Sequence, residues 1–110
     1  MNLQEVIDKL ELNTLTNLEE RGVDGVFISD MLSDVMANAK PGDLWLTVQT
    51  HKNVVSAANL VDIAAVVVTH GKSVPQDTID LANRFHVIIL ASPKSAFELS
   101  GQLIEIGLKP

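Results

Sequence analysis

The chain has 110 residues, 46% of them hydrophobic, which is enough for one domain with a real core and too short for two ordinary ones. It has no Cys, which excludes disulfides, iron–sulfur clusters, thiolate zinc sites and a Cys nucleophile. A net charge of −6, eight scattered Lys and Arg and no Tyr argue against a nucleic-acid partner, because phosphate neutralisation and base stacking are both poorly served.

No apolar run reaches the ~18 residues needed to span a bilayer. The start, MNLQEVIDKL, is amphipathic and acidic rather than a basic signal peptide. The expectation is a soluble, cytoplasmic protein with no membrane partner.

Leu3, Val6, Ile7 and Leu10 predict a short amphipathic helix over 2–10. ELNTLT, residues 11–16, reads as a short strand, and NLEERGVDG as a polar connection. VFISD, 26–30, reads as a strand that ends at Asp30, a residue suited to cap the next helix. Met31, Leu32, Val35, Met36 and Ala39 then form one helix face, closed by the breakers Pro41 and Gly42.

From here a unit recurs. Strand 44–48 leads to helix 52–61, strand 63–68 to helix 76–85, and strand 87–91 to a last helix ending at Gly107. Alternating strands and helices imply parallel β-α-β units with right-handed crossings. The fold class is therefore α/β, a single domain over 1–110 with a largely parallel sheet flanked by helices. In the last helix Ala96, Phe97, Leu99, Leu103, Ile104, Ile106 and Leu108 cover an arc of roughly 200°, wider than the ~100° stripe that one core face requires. The excess is expected to cover a sheet edge or meet another subunit.

Ligands of such sheets bind beyond the carboxyl ends of the strands. Polar residues gather there: Gln49, Thr50, His51 and Asn53 after one strand, Thr69, His70 and Gly71 after the next, Ser92 and Ser95 after the third. Asp30 joins them if its own strand is parallel. Converging helix N-termini suit an anion. The competing explanation is capping. Thr50, Ser73, Ser92 and Ser95 are cap residues, Ser73 with Gln76 and Ser95 with Glu98 fit the capping box, and Pro93 fits a first helical position.

VVVTHGKS resembles the end of a phosphate-binding P-loop, but the first Gly of that motif would fall at Val66, inside a strand. The three His are widely separated and lack paired carboxylates, so no metal is expected. No serine sits in a G-x-S-x-G elbow. Asp30 and Asp34 lie one helical turn apart, where a cap and first-turn dipole compensation explain them.

The run from Ser29 to Leu103 resembles the DRTGG domain family. The resemblance is carried by Asp30-Met31-Leu32-Ser33-Asp34-Val35-Met36, by Thr47-Val48-Gln49-Thr50-His51 with Asn53, and by Ser95-Ala96-Phe97-Glu98-Leu99. Similar domains occur within some phosphotransacetylases and between CBS domains of some inorganic pyrophosphatases, and they resemble the N-terminal domain of HPr kinase/phosphorylase. The namesake motif would lie before Asp30, where this chain reads Glu20-Arg21-Gly22-Val23-Asp24-Gly25 and matches it weakly. The resemblance implies an α/β domain with a regulatory or interaction role. No catalysis carries over from the kinase, whose P-loop lies in a separate domain.

The combined expectation is a non-catalytic regulatory module without a cofactor, homodimeric, sensing a small anionic or nucleotide-like ligand through the residues named above. The alternative is a homodimerisation or docking domain serving a metabolic enzyme, with no small-molecule ligand.

Overall fold

The computed structural model describes residues 1–109. Helix α1 (Leu3–Leu10) begins at Asn2, whose Oδ1 accepts the Gln4 N–H at 2.7 Å. It buries Leu3, Val6, Ile7 and Leu10, the face its spacing predicts. There follow β1 (Asn13–Thr14), β2 (Gly25–Ile28), α2 (Leu32–Asn38), β3 (Asp43–Thr47), α3 (Asn53–Val61), β4 (Ala65–Val68), α4 (Gln76–Arg84), β5 (Ile89–Ala91) and α5 (Ala96–Glu105).

The five strands form one sheet in the order β1-β5-β4-β3-β2. β2, β3, β4 and β5 are parallel, each laid beside the one before it, and only the two-residue β1 runs antiparallel, against β5. The expected α/β class with a largely parallel sheet is the observed one. Three successive right-handed crossings in one direction must put α2, α3 and α4 on the same face. The packing agrees. Val35, Val54, Val55, Ala58 and Ala82 from these helices meet Trp45, Val66, Val68 and Ile89 from the sheet. Leu44, Leu46, Val67 and Leu90 point the other way and pack with Leu3, Val6, Leu99 and Leu103 of α1 and α5. A strand covered on both faces has no polar side to show, which is why these strands read as unbroken apolar runs.

Some elements are shorter than their apolar patterns. Ile63, Ala64, Val87 and Ile88 are buried but precede the paired stretches of β4 and β5. Helix α2 spans seven residues and buries only Val35, while Met31 and Met36 are 64% and 47% exposed, so the apolar face expected there is only partly covered. Before β3 the chain turns at Gly42 with φ 84°, and a Cβ there would collide with the Asp24 carboxylate.

Candidate functional site

Because β2 is parallel to β3, Asp30 emerges at the same end of the sheet as the loops after β3, β4 and β5. Its carboxylate does not cap α2, whose N-cap is Met31 with no side-chain cap bond. Instead Asp30 Oδ1 accepts the Thr47 hydroxyl at 2.8 Å and the Val48 N–H at 2.9 Å. Gln49 Nε2 donates back to the Asp30 carbonyl at 3.1 Å, and the Trp45 indole N–H donates to the Ser29 carbonyl at 2.8 Å. The β2 and β3 ends are thus laced together across the sheet. The Met31 N–H is taken by the Ser29 hydroxyl at 3.1 Å. Asp34, in the first turn of α2, sits below the usual aspartate value of 3.8, chiefly because the Asn38 amide donates to it, with the Ser29 hydroxyl second.

The loop after β3 also differs from its expected caps. Thr50 does not cap α3. His51 Nδ1 accepts the Asn53 N–H at 3.1 Å, which leaves the ring proton on Nε2. His51 is exposed, so this N–H is a donor facing solvent. The Thr50 carbonyl is held from behind by the buried Thr78 hydroxyl of α4 at 3.0 Å.

The loops after β4 and β5 are tied by main chain. His70 N–H donates to the Lys94 carbonyl at 2.9 Å and Gly71 N–H to the Ser92 carbonyl at 3.0 Å, with φ of 60° and 64° at the two donors. Thr69 N–H reaches the Thr47 carbonyl at 3.0 Å. Thr69 and Ser92 are buried, and Ser92 Oγ is occupied by the Lys94 N–H at 3.1 Å. Among the expected site residues, Gln49, His51, Asn53, His70 and Gly71 therefore remain open to solvent, while Thr69 and Ser92 serve the loop framework. Ser95 caps α5 by accepting the Glu98 N–H at 3.2 Å, as its capping-box position predicts.

Two further cap expectations fail. Helix α4 begins after Pro75 with no side-chain cap, and Gln76 bonds Asp80, so Ser73 and Gln76 form no capping box. Pro93 lies three residues ahead of α5 and is not its first helical residue. Lys72 and Ser73 lie in a loop four and three residues ahead of α4, so Gly71-Lys72-Ser73 does not present a helix N-terminus to phosphate as a P-loop does. His86 stands before β5, away from these loops, and pairs with Glu19 at 2.8 Å. Among the described residues no group of three His, Asp or Glu is placed to hold a metal ion.

The fold also brings together groups that the linear sequence scatters. The three loops 48–53, 69–75 and 92–95 contain Lys52, Lys72, Lys94, His51 and His70 and no carboxylate, in a chain of net charge −6. Lys52 pairs with Asp77 of α4 at 3.4 Å and Lys94 with the Gln102 side chain at 3.2 Å. Lys72 has no side-chain partner among the described residues. These lysines were not among the expected site residues. Their signal is the absence of acids from three successive β-α loops, visible only once the loops are known to share one edge.

No family model matches the chain, and no curated protein matches its sequence. Among solved structures it is similar to the CBS and DRTGG domains of the regulatory region of a Clostridium perfringens pyrophosphatase, complexed with an activator, diadenosine tetraphosphate. The TM-score is 0.70 at 14% identity, over 93% of this chain and 45% of that one. The chain thus spans less than half of that neighbour. The likeness is one of fold, and it supports a DRTGG-like architecture. That neighbour is a regulatory region rather than a catalytic one. No helix among the described residues is long and apolar enough to cross a membrane.

Proposed function

We propose that this chain is a DRTGG-type regulatory module that senses a small anionic, nucleotide-like ligand over the carboxyl ends of β3, β4 and β5. The observation that carries the reading is the acid-free, lysine- and histidine-bearing set of loops at that edge. A polyanion laid there meets the Nε2–H of His51 and the ammonium of Lys72, near the positive end of the α3 dipole, while the first N–H groups of α3 are already taken by His51 and Lys52. His51 donates in its neutral form, so recognition by this residue does not require an imidazolium. The fold neighbour's nucleotide activator supports the ligand class.

The experiment is a thermal-shift screen of the intact chain against nucleotides, dinucleoside polyphosphates and acyl phosphates. A ligand at 100 times its Kd adds about 2.7 kcal/mol. The expected result is a shift for at least one of these polyanions that is lost in His51→Ala and reduced in Lys72→Ala and His70→Ala. No shift with any of them, or the same shift in all variants, contradicts the reading.

A second reading, a homodimerisation or docking module for a metabolic enzyme, is favoured by a separate observation: Phe97, Ile104 and Ile28 stand exposed around α5 and β2.

A further inference from the structure

The sheet carries three helices on one face and two on the other. On the two-helix face α1 and α5 leave the outermost strand, β2, without a cover. Val26 is only partly buried there and Ile28 is 51% exposed. With Ser100, Leu103, Ile104 and Leu108 they line a groove of about 190 Å³ between β2 and α5. β2 is also a sheet edge. Among the described residues no backbone hydrogen bond beyond the β2–β3 ladder reaches Gly25–Ile28. The strand, Gly25-Val26-Phe27-Ile28, has neither the charge nor the proline that usually protects a free edge.

Helix α5 carries the matching half. Phe97 is 89% exposed and Ile104 61%. Seven residues apart, they project within about 20° of each other around the helix. Ser100 and Gly101 lie between them on that side. Gly101 has no purpose within the chain: its backbone is not left-handed, and a Cβ built on it would meet nothing within 4 Å. A helix-interior glycine is unfavourable relative to alanine, and what it permits is close approach of another backbone.

From these observations we infer that a second copy of this chain docks through α5. The two helices cross antiparallel about a two-fold axis at Ser100–Gly101, and Phe97 of each copy sits in the β2–α5 groove of the other. The register is self-consistent. Phe97 lies four residues before the crossing, about 6 Å along the axis. An antiparallel partner presents there the residues a similar distance beyond its own Gly101, the Ile104–Leu108 end that lines the groove. Knob and hollow on one face of one molecule are what a closed two-fold contact requires and what a docking site for an unrelated protein does not.

Charge points the same way. Two copies of net charge −6 repel, so close contact favours a surface free of acids: Phe97, Ser100, Gly101, Ile104 and Leu108 are uncharged, and the one charged residue lining the groove, Lys109, is basic. Phe97, Ile104 and Ile28 together expose roughly 400 Å² on the scale of 150–250 Å² for a whole aromatic side chain. That is about half of the ~800 Å² per partner in a standard interface, so the flanks of α5 and the β2 edge must supply the rest and the dimer falls at the weaker end of the range.

The inference deepens the second functional reading and is independent of the ligand reading. The test is sedimentation of the intact chain from low to high micromolar concentration, at low and high salt. Wild type is expected to move from 11.9 kDa towards twice that mass, with association strengthened by salt because screening relieves the repulsion. Phe97→Asp and Gly101→Leu should each weaken association at least about thirtyfold, the loss expected at a central anchor, while Phe85→Asp on the opposite face should not. Both variant sites open to solvent, so circular dichroism should match wild type. A dimer that survives both variants overturns this interface but leaves the dimerisation reading standing. A monomer at every concentration overturns both.

Discussion

Asp30 offers the sharpest test of how the candidate edge is held together. Both cross-strand bonds end on one atom, Oδ1, which accepts the Thr47 hydroxyl at 2.8 Å and the Val48 N–H at 2.9 Å. In Asp30→Ala the Thr47 hydroxyl, on a residue only 2% exposed, loses its acceptor, and a buried polar group left unpaired costs about 1–3 kcal/mol. Val48 is half-buried and water replaces the carboxylate, so its share is about 0.5–1 kcal/mol. The sum is about 1.5–4 kcal/mol. A domain of this length unfolds with about 0.23 kcal/mol/K of entropy, so Tm should fall by about 7–17 °C. Asp30→Asn keeps an oxygen at the same place and loses only the charge assistance, so its cost should be under half as large. Thr47→Val should also cost less in the Asp30→Ala background than alone, because the two share a bond. Differential scanning calorimetry of the five proteins, wild type and the double variant included, decides the matter. An Asp30→Ala melt within about 2 °C of wild type, or an Asn variant as damaged as the Ala variant, refutes the lacing of β2 to β3 through this oxygen.

His51→Ala removes the acceptor of one exposed N–H and should change stability by no more than about 0.5–1 kcal/mol in urea unfolding, so any larger loss makes the residue structural. The loop around Lys72 should support no magnesium-dependent ATP hydrolysis, and turnover that disappears in Lys72→Ala would overturn that reading of Gly71-Lys72-Ser73. Asp34 titrates below its ordinary value of 3.8 because its charged form is hydrogen-bonded in the native state. Its small contribution is present above the unfolded value and is lost as pH falls through the lower, native one, so acid should loosen α2 in a pH-dependent helix signal that Asp34→Asn removes.

The repeating strand–helix order is legible in the residues because parallel strands packed on both sides leave long apolar words, such as Ile63–Val68. The same words overstate strand length. Ile63, Ala64, Val87 and Ile88 are apolar because they are buried, and burial begins before the ladder does. The caps were less legible. Ser95 reads correctly because its partner, Glu98, is three residues away. Asp30 does not, because the groups that claim its carboxylate, Thr47 and Val48, lie 17 and 18 residues later and arrive only when β3 pairs with β2. Lys52, Lys72 and Lys94 were missed for the same reason: each is unremarkable alone, and only the parallel register puts their loops on one edge. Of the wide apolar arc read in the last helix, Leu99 and Leu103 face inward and Phe97 and Ile104 outward, while Ile106 and Leu108 lie past the helix end at Glu105.

The loop after β4 is tied by main-chain groups: to the loop after β5 by His70 N–H to the Lys94 carbonyl and Gly71 N–H to the Ser92 carbonyl, and to the end of β3 by Thr69 N–H to the Thr47 carbonyl. Bonds of this kind do not depend on what the side chains are. The exposed positions between them, Lys72, Ser73 and Pro93, can therefore be exchanged without loosening the frame, as long as Gly71 keeps its left-handed turn. That makes this edge a ready chassis for engineering: a library confined to those three positions and His51 should yield mostly folded proteins.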